Sequence, residues 1–344
     1  MVLFCHSRLP YDFLAPYSVY GALGVDLFFA LSGFIITHRL LEEHRRTGTI
    51  SLRAFYRRRF FRILPPILVF LCVVSVLGLA YRIIPLDLKQ IAASAFFSRN
   101  YYSSPVADSW YTGHFWSLSV EEHFYLLWPG LLVLVGIRRA KWLAPVLAVA
   151  FAAWRVLDQH YQWIGAFAPA LRGSPARTDY RLDGLLWGCA LAFLWQSETG
   201  QVWLKKWCGS GTLLTAAAAM TLLLWTQPPA YVAALAFLFP VFLASTLAQP
   251  ASAISNLLNV APIAWLGRIS YSLYVWQQLF VPTRGLPTPL GAIQQFPLNI
   301  AIALATATAS YYLVELPCIN GGKSLRWPIT AAAPAASVSS EYSP

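Results

Sequence analysis

The sequence predicts an all-α, polytopic transmembrane helix bundle of about ten helices, the first of them truncated at the N-terminus. Three observations predict it. The 344 residues are 58% hydrophobic and only 11% charged, where a soluble domain carries about 25% charged residues. So few polar side chains cannot coat a globule of this size, and the missing solvent is lipid. Apolar runs long enough to cross about 30 Å of hydrocarbon recur along the whole chain. Lipid satisfies no backbone group, and the ten-residue alternation of a membrane barrel does not occur, so these runs are helices.

In chain order the runs fall at residues 23–38, 63–81, 118–136, 142–157, 183–197, 210–226, 231–248, 262–282 and 294–314. Ahead of them stands Met1-Val-Leu-Phe-Cys-His6, apolar but too short to cross anything. It lacks the charged n-region of a signal peptide and reads as the last turn or two of a first helix whose start precedes Met1. No stretch is polar enough to form a separate soluble domain. Residues 1–328 therefore make one membrane-embedded domain, and residues 329–344, rich in Ala, Ser and Pro, a disordered tail.

The net charge of +11 would suit a nucleic-acid partner if it were spread over one face, but it is clustered. Basic residues gather between Arg39 and Arg62, at Arg138, Arg139 and Lys141, at Lys205 and Lys206, and at Lys323 and Arg326. An even number of apolar runs separates each cluster from the next, so all lie on one side of the membrane. The positive-inside rule makes that side the cytoplasm, with the C-terminus on it. The partner this charge implies is the lipid bilayer, not nucleic acid. Arg172, Arg177 and Arg181 fall on the opposite side and are an exception. The five cysteines are odd in number and show no CxxC pair, so neither a disulfide framework nor a metal site is expected.

An ionisable residue at membrane depth is costly and marks a functional site by default. His6 has Asp12 six residues on; beside a carboxylate an imidazole can act as general base, or it can simply touch interfacial water. In Gly24-Val-Asp26-Leu-Phe-Phe-Ala-Leu-Ser32-Gly33-Phe34, Asp26 either complements the dipole in a first helical turn or faces a cavity, while Ser32 and Gly33 let helices approach closely. Arg58, Arg59 and Arg62 precede the run that begins at residue 63. Arg59 and Arg62, spaced i, i+3, share a face, where two guanidiniums can clamp a phosphate as scattered lysines cannot. Glu121 and Glu122 enter an apolar run. Successive helical residues point about 100° apart, so the two cannot face one partner. One lines a cavity, or both sit at the interface among aromatic residues.

Taken together, these stretches resemble acyltransferase family 3, a family of integral membrane enzymes. The resemblance rests on His6 ending the first helix, on Gly24 to Phe34 and on Arg58-Arg59-Phe-Phe-Arg62-Ile-Leu-Pro65. It extends through Trp116-Ser-Leu-Ser119-Val-Glu121-Glu122-His-Phe-Tyr-Leu-Leu-Trp-Pro129, Arg181-Leu-Asp183-Gly184, Leu266-Gly-Arg268-Ile-Ser270-Tyr-Ser-Leu-Tyr274 and Tyr312-Leu-Val-Glu315-Leu-Pro317. These matches run in order over about nine-tenths of the chain.

The resemblance implies transfer of an acyl group, usually acetyl, from an acyl-CoA to a hydroxyl of a carbohydrate or other cell-envelope acceptor. The enzyme would sit in the bacterial inner membrane. His6, oriented by Asp12, would be catalytic, with Glu121 and Glu122 as further candidates. Arg58, Arg59 and Arg62 would hold the donor. Asp26, Ser32, Gly33, Trp116, Ser119, Arg181, Asp183, Arg268 and Glu315 would shape or line the cavity. Acetyl-CoA or another acyl-CoA would come and go as a substrate, with no cofactor permanently bound. The acceptor would be an envelope glycan or glycolipid. The resemblance also implies an Arg eleven residues before the catalytic His, a position that falls before Met1. The rival reading is a transporter of a lipid-linked or acidic envelope precursor, but the inverted repeats common in transporters are not evident in the sequence.

Overall fold

The computed structural model describes residues 19–102, 106–172, 174–228, 230–282 and 286–324, and among them there are helices and turns but no strand. His6, Asp12 and the tail 329–344 lie outside the described residues.

Helices α1 (Val19–Thr47) and α2 (Leu52–Ser75) form a hairpin. Gly48, at φ +75°, takes the left-handed conformation that ends α1. Ser51 starts α2 by accepting a hydrogen bond from Ala54 N–H at 3.3 Å. Glu43 ties the turn together, accepting from Ser51 N–H at 2.9 Å and pairing with Arg58 at 3.0 Å. Both helices extend beyond the apolar runs that announce them. Asp26 therefore lies roughly two turns inside α1 rather than in its first turn. Likewise Arg58, Arg59 and Arg62 sit within α2 rather than ahead of it. A helix can start outside hydrocarbon, where charged side chains are solvated, so hydropathy alone places both starts too late.

Short α3 (Leu88–Ala95) and α4 (Val106–Gly113) lead to α5 (Phe115–Val135) and α6 (Ile137–Tyr161), which part at Gly136, φ +77°. There follow α7 (Trp163–Phe167), α8 (Leu182–Gln196), α9 (Glu198–Trp207), α10 (Ser210–Thr226) and α11 (Tyr231–Ala248). Helices α12 (Ala253–Asn259), α13 (Ala261–Phe280), α14 (Leu298–Ser310) and α15 (Leu316–Ser324) complete the described chain, with a π-turn over Tyr311–Glu315 joining the last two.

Six stretches are long and apolar enough to cross a membrane: Leu23–Thr47, Leu52–Ala80, Trp110–Val135, Ile137–Tyr161, Tyr231–Ala248 and Leu298–Ser324. The pair α9 and α10, bent by 73°, would make a seventh. The protein is thus an all-α, multi-pass membrane protein, but the expected count of about ten spans is not reached among the described residues. Two reasons are visible. The 15 residues of α8 rise only about 22 Å, short of the hydrocarbon thickness. Helix α13 has the length but carries Arg268, Gln277 and Gln278, which lower its hydropathy.

The tightest helix crossing is α1 on α8. A Cβ on Gly33 would lie 1.9 Å from the Leu185 carbonyl oxygen, and one on Gly188 would lie 2.1 Å from that of Ala30. Between helices in lipid no hydrophobic force acts, so backbone approach through small residues supplies the contact energy. Gly184 and Gly188 put that small-residue face on α8. This crossing carries Asp26 and Ser32 of α1 into the bundle beside α5.

Candidate active site

Helices α1, α2 and α5 bring one cation and a buried carboxylate together. The Arg59 guanidinium stands 4.1 Å from the centroid of the Tyr125 ring and 5.9 Å from that of Phe55. The Tyr125 hydroxyl is hydrogen bonded to Ser32 Oγ. One turn before Tyr125 on the same face, Glu121 is buried, with Ser32, Tyr125 and the Arg59 charge around it. Its Oε1 has no hydrogen-bond partner among the described residues. A buried polar atom left unpaired costs about 1–3 kcal/mol, more when charged, which makes Glu121 a candidate for contact with a ligand. Glu122, the next residue, is only half-buried, although the Arg59 charge reaches it too. Of the two glutamates, Glu121 therefore takes the interior position.

Arg62 lies one turn on from Arg59 in α2, at the level where Tyr271 of α13 reaches the Ile63 carbonyl. Glu315 is buried and accepts from Ser272 Oγ at 2.9 Å. The Tyr271 hydroxyl donates to the Ile63 carbonyl at 2.7 Å. Of these two arginines, Arg59 turns onto the Tyr125 ring beside Glu121, while Arg62 is exposed. Arg58 is exposed and pairs with Glu43, and Arg268 is exposed on α13. Ser119 is buried in a backbone role, donating to the Phe115 carbonyl at 2.9 Å and accepting from Arg99 N–H at 3.2 Å.

A second polar cluster gathers at the other end of the bundle. Arg181 bonds Asp26 at 2.9 Å and lies 5.3 Å from the Trp116 ring centroid. Arg155 grips Asp183 through two hydrogen bonds, 2.5 and 3.2 Å long, and also donates to the Tyr180 carbonyl. Arg177 bonds Asp158 at 2.6 Å and also Asp179, and the Tyr180 hydroxyl donates to Asp158 at 2.7 Å. Burial alone would lower the Arg177 pKa, but its bonds to Asp179 and Asp158 outweigh that and raise it. These partners account for two of the three positive charges that break the positive-inside pattern: Arg177 and Arg181 each face carboxylates and add little net charge to that side. The interior alternative for Asp26 therefore resolves into an ion pair with Arg181.

Reading the sequence for isolated motifs misses Arg155 and Asp158. A signal was present, since a cation inside the run 142–157 with an acid three residues on is the same kind of marker that singles out Glu121. His114, which heads the same polar stretch as Glu121 but takes no role from the sequence, has Nδ1 2.7 Å from Gln278 Oε1 and Nε2 2.9 Å from the Val275 carbonyl, locking α5 to α13.

An acyltransferase domain family model matches residues 1–315. Peptidoglycan O-acetyltransferase OatA of Listeria monocytogenes is 31% identical over 333 residues, which is 86% of this chain and 50% of that protein. O-acetyltransferase OatA of Staphylococcus aureus strain NCTC 8325 is 30% identical over 332 residues, 88% of this chain and 53% of that protein. The chain spans about half the length of these curated relatives. No solved structure matches it significantly. The transporter alternative finds no support in these relatives.

Proposed function

Because the chain belongs to the acyltransferase domain family, we propose that it moves an acyl group, acetyl by preference, from acyl-CoA to a hydroxyl of an envelope glycan or glycolipid. The preference for acetyl and for an envelope glycan is supported by the names of the relatives. The observation that carries the donor assignment is Arg59, which sits on the basic end of α2 while its guanidinium covers Tyr125 beside the buried Glu121. A donor with several phosphates suits a basic end of this kind, because planar guanidiniums bind phosphate oxygens two at a time. Arg62 continues the same face, and the exposed Arg58 can take an outer phosphate.

In this reading His6, oriented by Asp12, removes the proton from the acceptor hydroxyl. The alkoxide oxygen attacks the thioester carbonyl, the carbon–sulfur bond breaks, and the CoA sulfur leaves as thiolate and takes up the proton. Glu121 and Glu122 are the remaining candidate bases, and Glu121 has the better claim by its burial. Acyl-CoA is a substrate, and no cofactor stays bound. The membrane is the bacterial inner membrane, with the basic clusters and the C-terminus in the cytoplasm, where acyl-CoA is made.

The test compares envelope glycans from cells with and without the gene. The reading predicts that O-acetyl groups, released by mild base and counted by mass spectrometry, fall in the deletion strain and return on complementation. Identical ester content in both strains contradicts it.

A further inference from the structure

Beside the Arg177 cluster lies a cavity of about 590 Å³ that the transfer chemistry does not use. Its walls include three aromatic rings, Tyr101, Phe151 and Trp154, and its polar end is formed by Arg177 and Asp179. Two of the rings are held in place. Tyr101 stacks on His123 at a centroid distance of 5.9 Å, and His123 Nδ1 is anchored 2.7 Å from Thr178 Oγ1. Trp154 Nε1–H donates to Asp179 Oδ2 at 2.7 Å.

The charge balance at the polar end limits what fits there. At the cavity the charge of Arg177 is met by Asp179, and its other partner, Asp158, is buried and does not line the cavity, so this end offers no unpaired positive charge to a phosphate or carboxylate. The Asp179 side chain keeps 28% of its surface open, which leaves acceptor capacity for hydroxyl donors. A lipid chain would pack on the apolar wall but use none of that acceptor capacity. A pyranose ring satisfies both demands. Its C–H faces are apolar and stack on aromatic rings, and its equatorial hydroxyls donate to a carboxylate. The volume is in the range of small-molecule pockets, about 300–1,000 Å³.

From the aromatic walls and the charge-paired polar end, we infer that this cavity is a docking subsite for an uncharged sugar ring of the acceptor. The inference rests on the acyl-transfer reading only for calling that sugar an acceptor; binding itself does not require it. By the even spacing of the basic clusters, the cavity opens at the end of α6 away from the cytoplasm.

The experiment measures binding of tri-N-acetylchitotriose to the full chain in phosphatidylcholine nanodiscs by saturation-transfer NMR. The subsite predicts saturable binding, weakened about tenfold by Tyr101→Ala and less by Trp154→Phe, which keeps a ring but loses the bond to Asp179. Tyr101 is 41% exposed, so its removal spares the fold, which circular dichroism checks. Undecaprenyl phosphate should not displace the sugar. Three results overturn the inference: no saturable binding, unchanged affinity in Tyr101→Ala, or displacement by undecaprenyl phosphate. The two readings fail separately. Sugar binding by a protein that transfers no acyl group sinks the function and keeps the subsite. Acyl transfer with an unchanged acceptor KM in Tyr101→Ala does the reverse.

Discussion

Arg155 Nη2 lies 2.5 Å from Asp183 Oδ2, with both side chains almost fully sealed from solvent. The pair joins the far end of α6 to the first turn of α8, and α8 in turn crosses α1 through Gly188. Removing one partner leaves the other charge buried and uncompensated, which costs about 3–5 kcal/mol. Asp183→Ala should lower the melting temperature in detergent by about 10 °C. The double variant Arg155→Met with Asp183→Leu should recover most of that loss, since no charge remains buried. A double variant as unstable as the single one would show that the pair is not the source of the effect.

The α1–α8 crossing gives a sharper contrast. Gly188→Ala puts a methyl 2.1 Å from the Ala30 carbonyl oxygen, backbone that cannot step aside. We expect loss of monodisperse protein by size-exclusion chromatography. Gly130→Ala, on α5 with nothing within 4 Å of the new methyl, should express and elute as the parent does. Equal behaviour of the two variants would remove the crossing from the account.

Reporter fusions check the topology. The even spacing of the basic clusters predicts that green fluorescent protein joined after Pro344 is fluorescent and that alkaline phosphatase at the same point is silent. The opposite pattern would invert the molecule and place the Arg59 face outside.

Donor binding depends on the fork of a guanidinium and not only on its charge. Arg59→Lys and Arg62→Lys should each raise the acyl-CoA KM about tenfold, whereas Arg45→Lys and Arg46→Lys, in the last turn of α1, should leave it unchanged. An unaltered donor KM in both of the first two variants would reduce these residues to topology signals.

Much of this was legible in the sequence because it depends on local spacing. Hydropathy marks the helices, the i, i+3 interval puts Arg59 and Arg62 on one face, and Ser32 with Gly33 announces a close helix contact. What was not legible depends on which helices meet. Asp26 finds Arg181 at 155 positions' separation, a pairing that only the α1–α8 crossing creates. The Arg177 charge looks like a topological anomaly until Asp158 and Asp179 are seen against it. Helix α8 announces itself by its hydropathy, although its 15 residues fall below the length that marks a full-thickness span.

The most direct test of acyl transfer is a count of labelled acyl groups. Purified protein in nanodiscs is given radiolabelled acetyl-CoA and a glycan acceptor, and label entering the glycan is measured for the parent, His6→Ala and His44→Ala. His44 lies in the exposed last turn of α1 and serves as control. The account predicts transfer by the parent and by His44→Ala, and a fall of about 10²–10⁴-fold in His6→Ala. Glycan labelled at the parental rate by His6→Ala, or no label transferred by the parent itself, would contradict it.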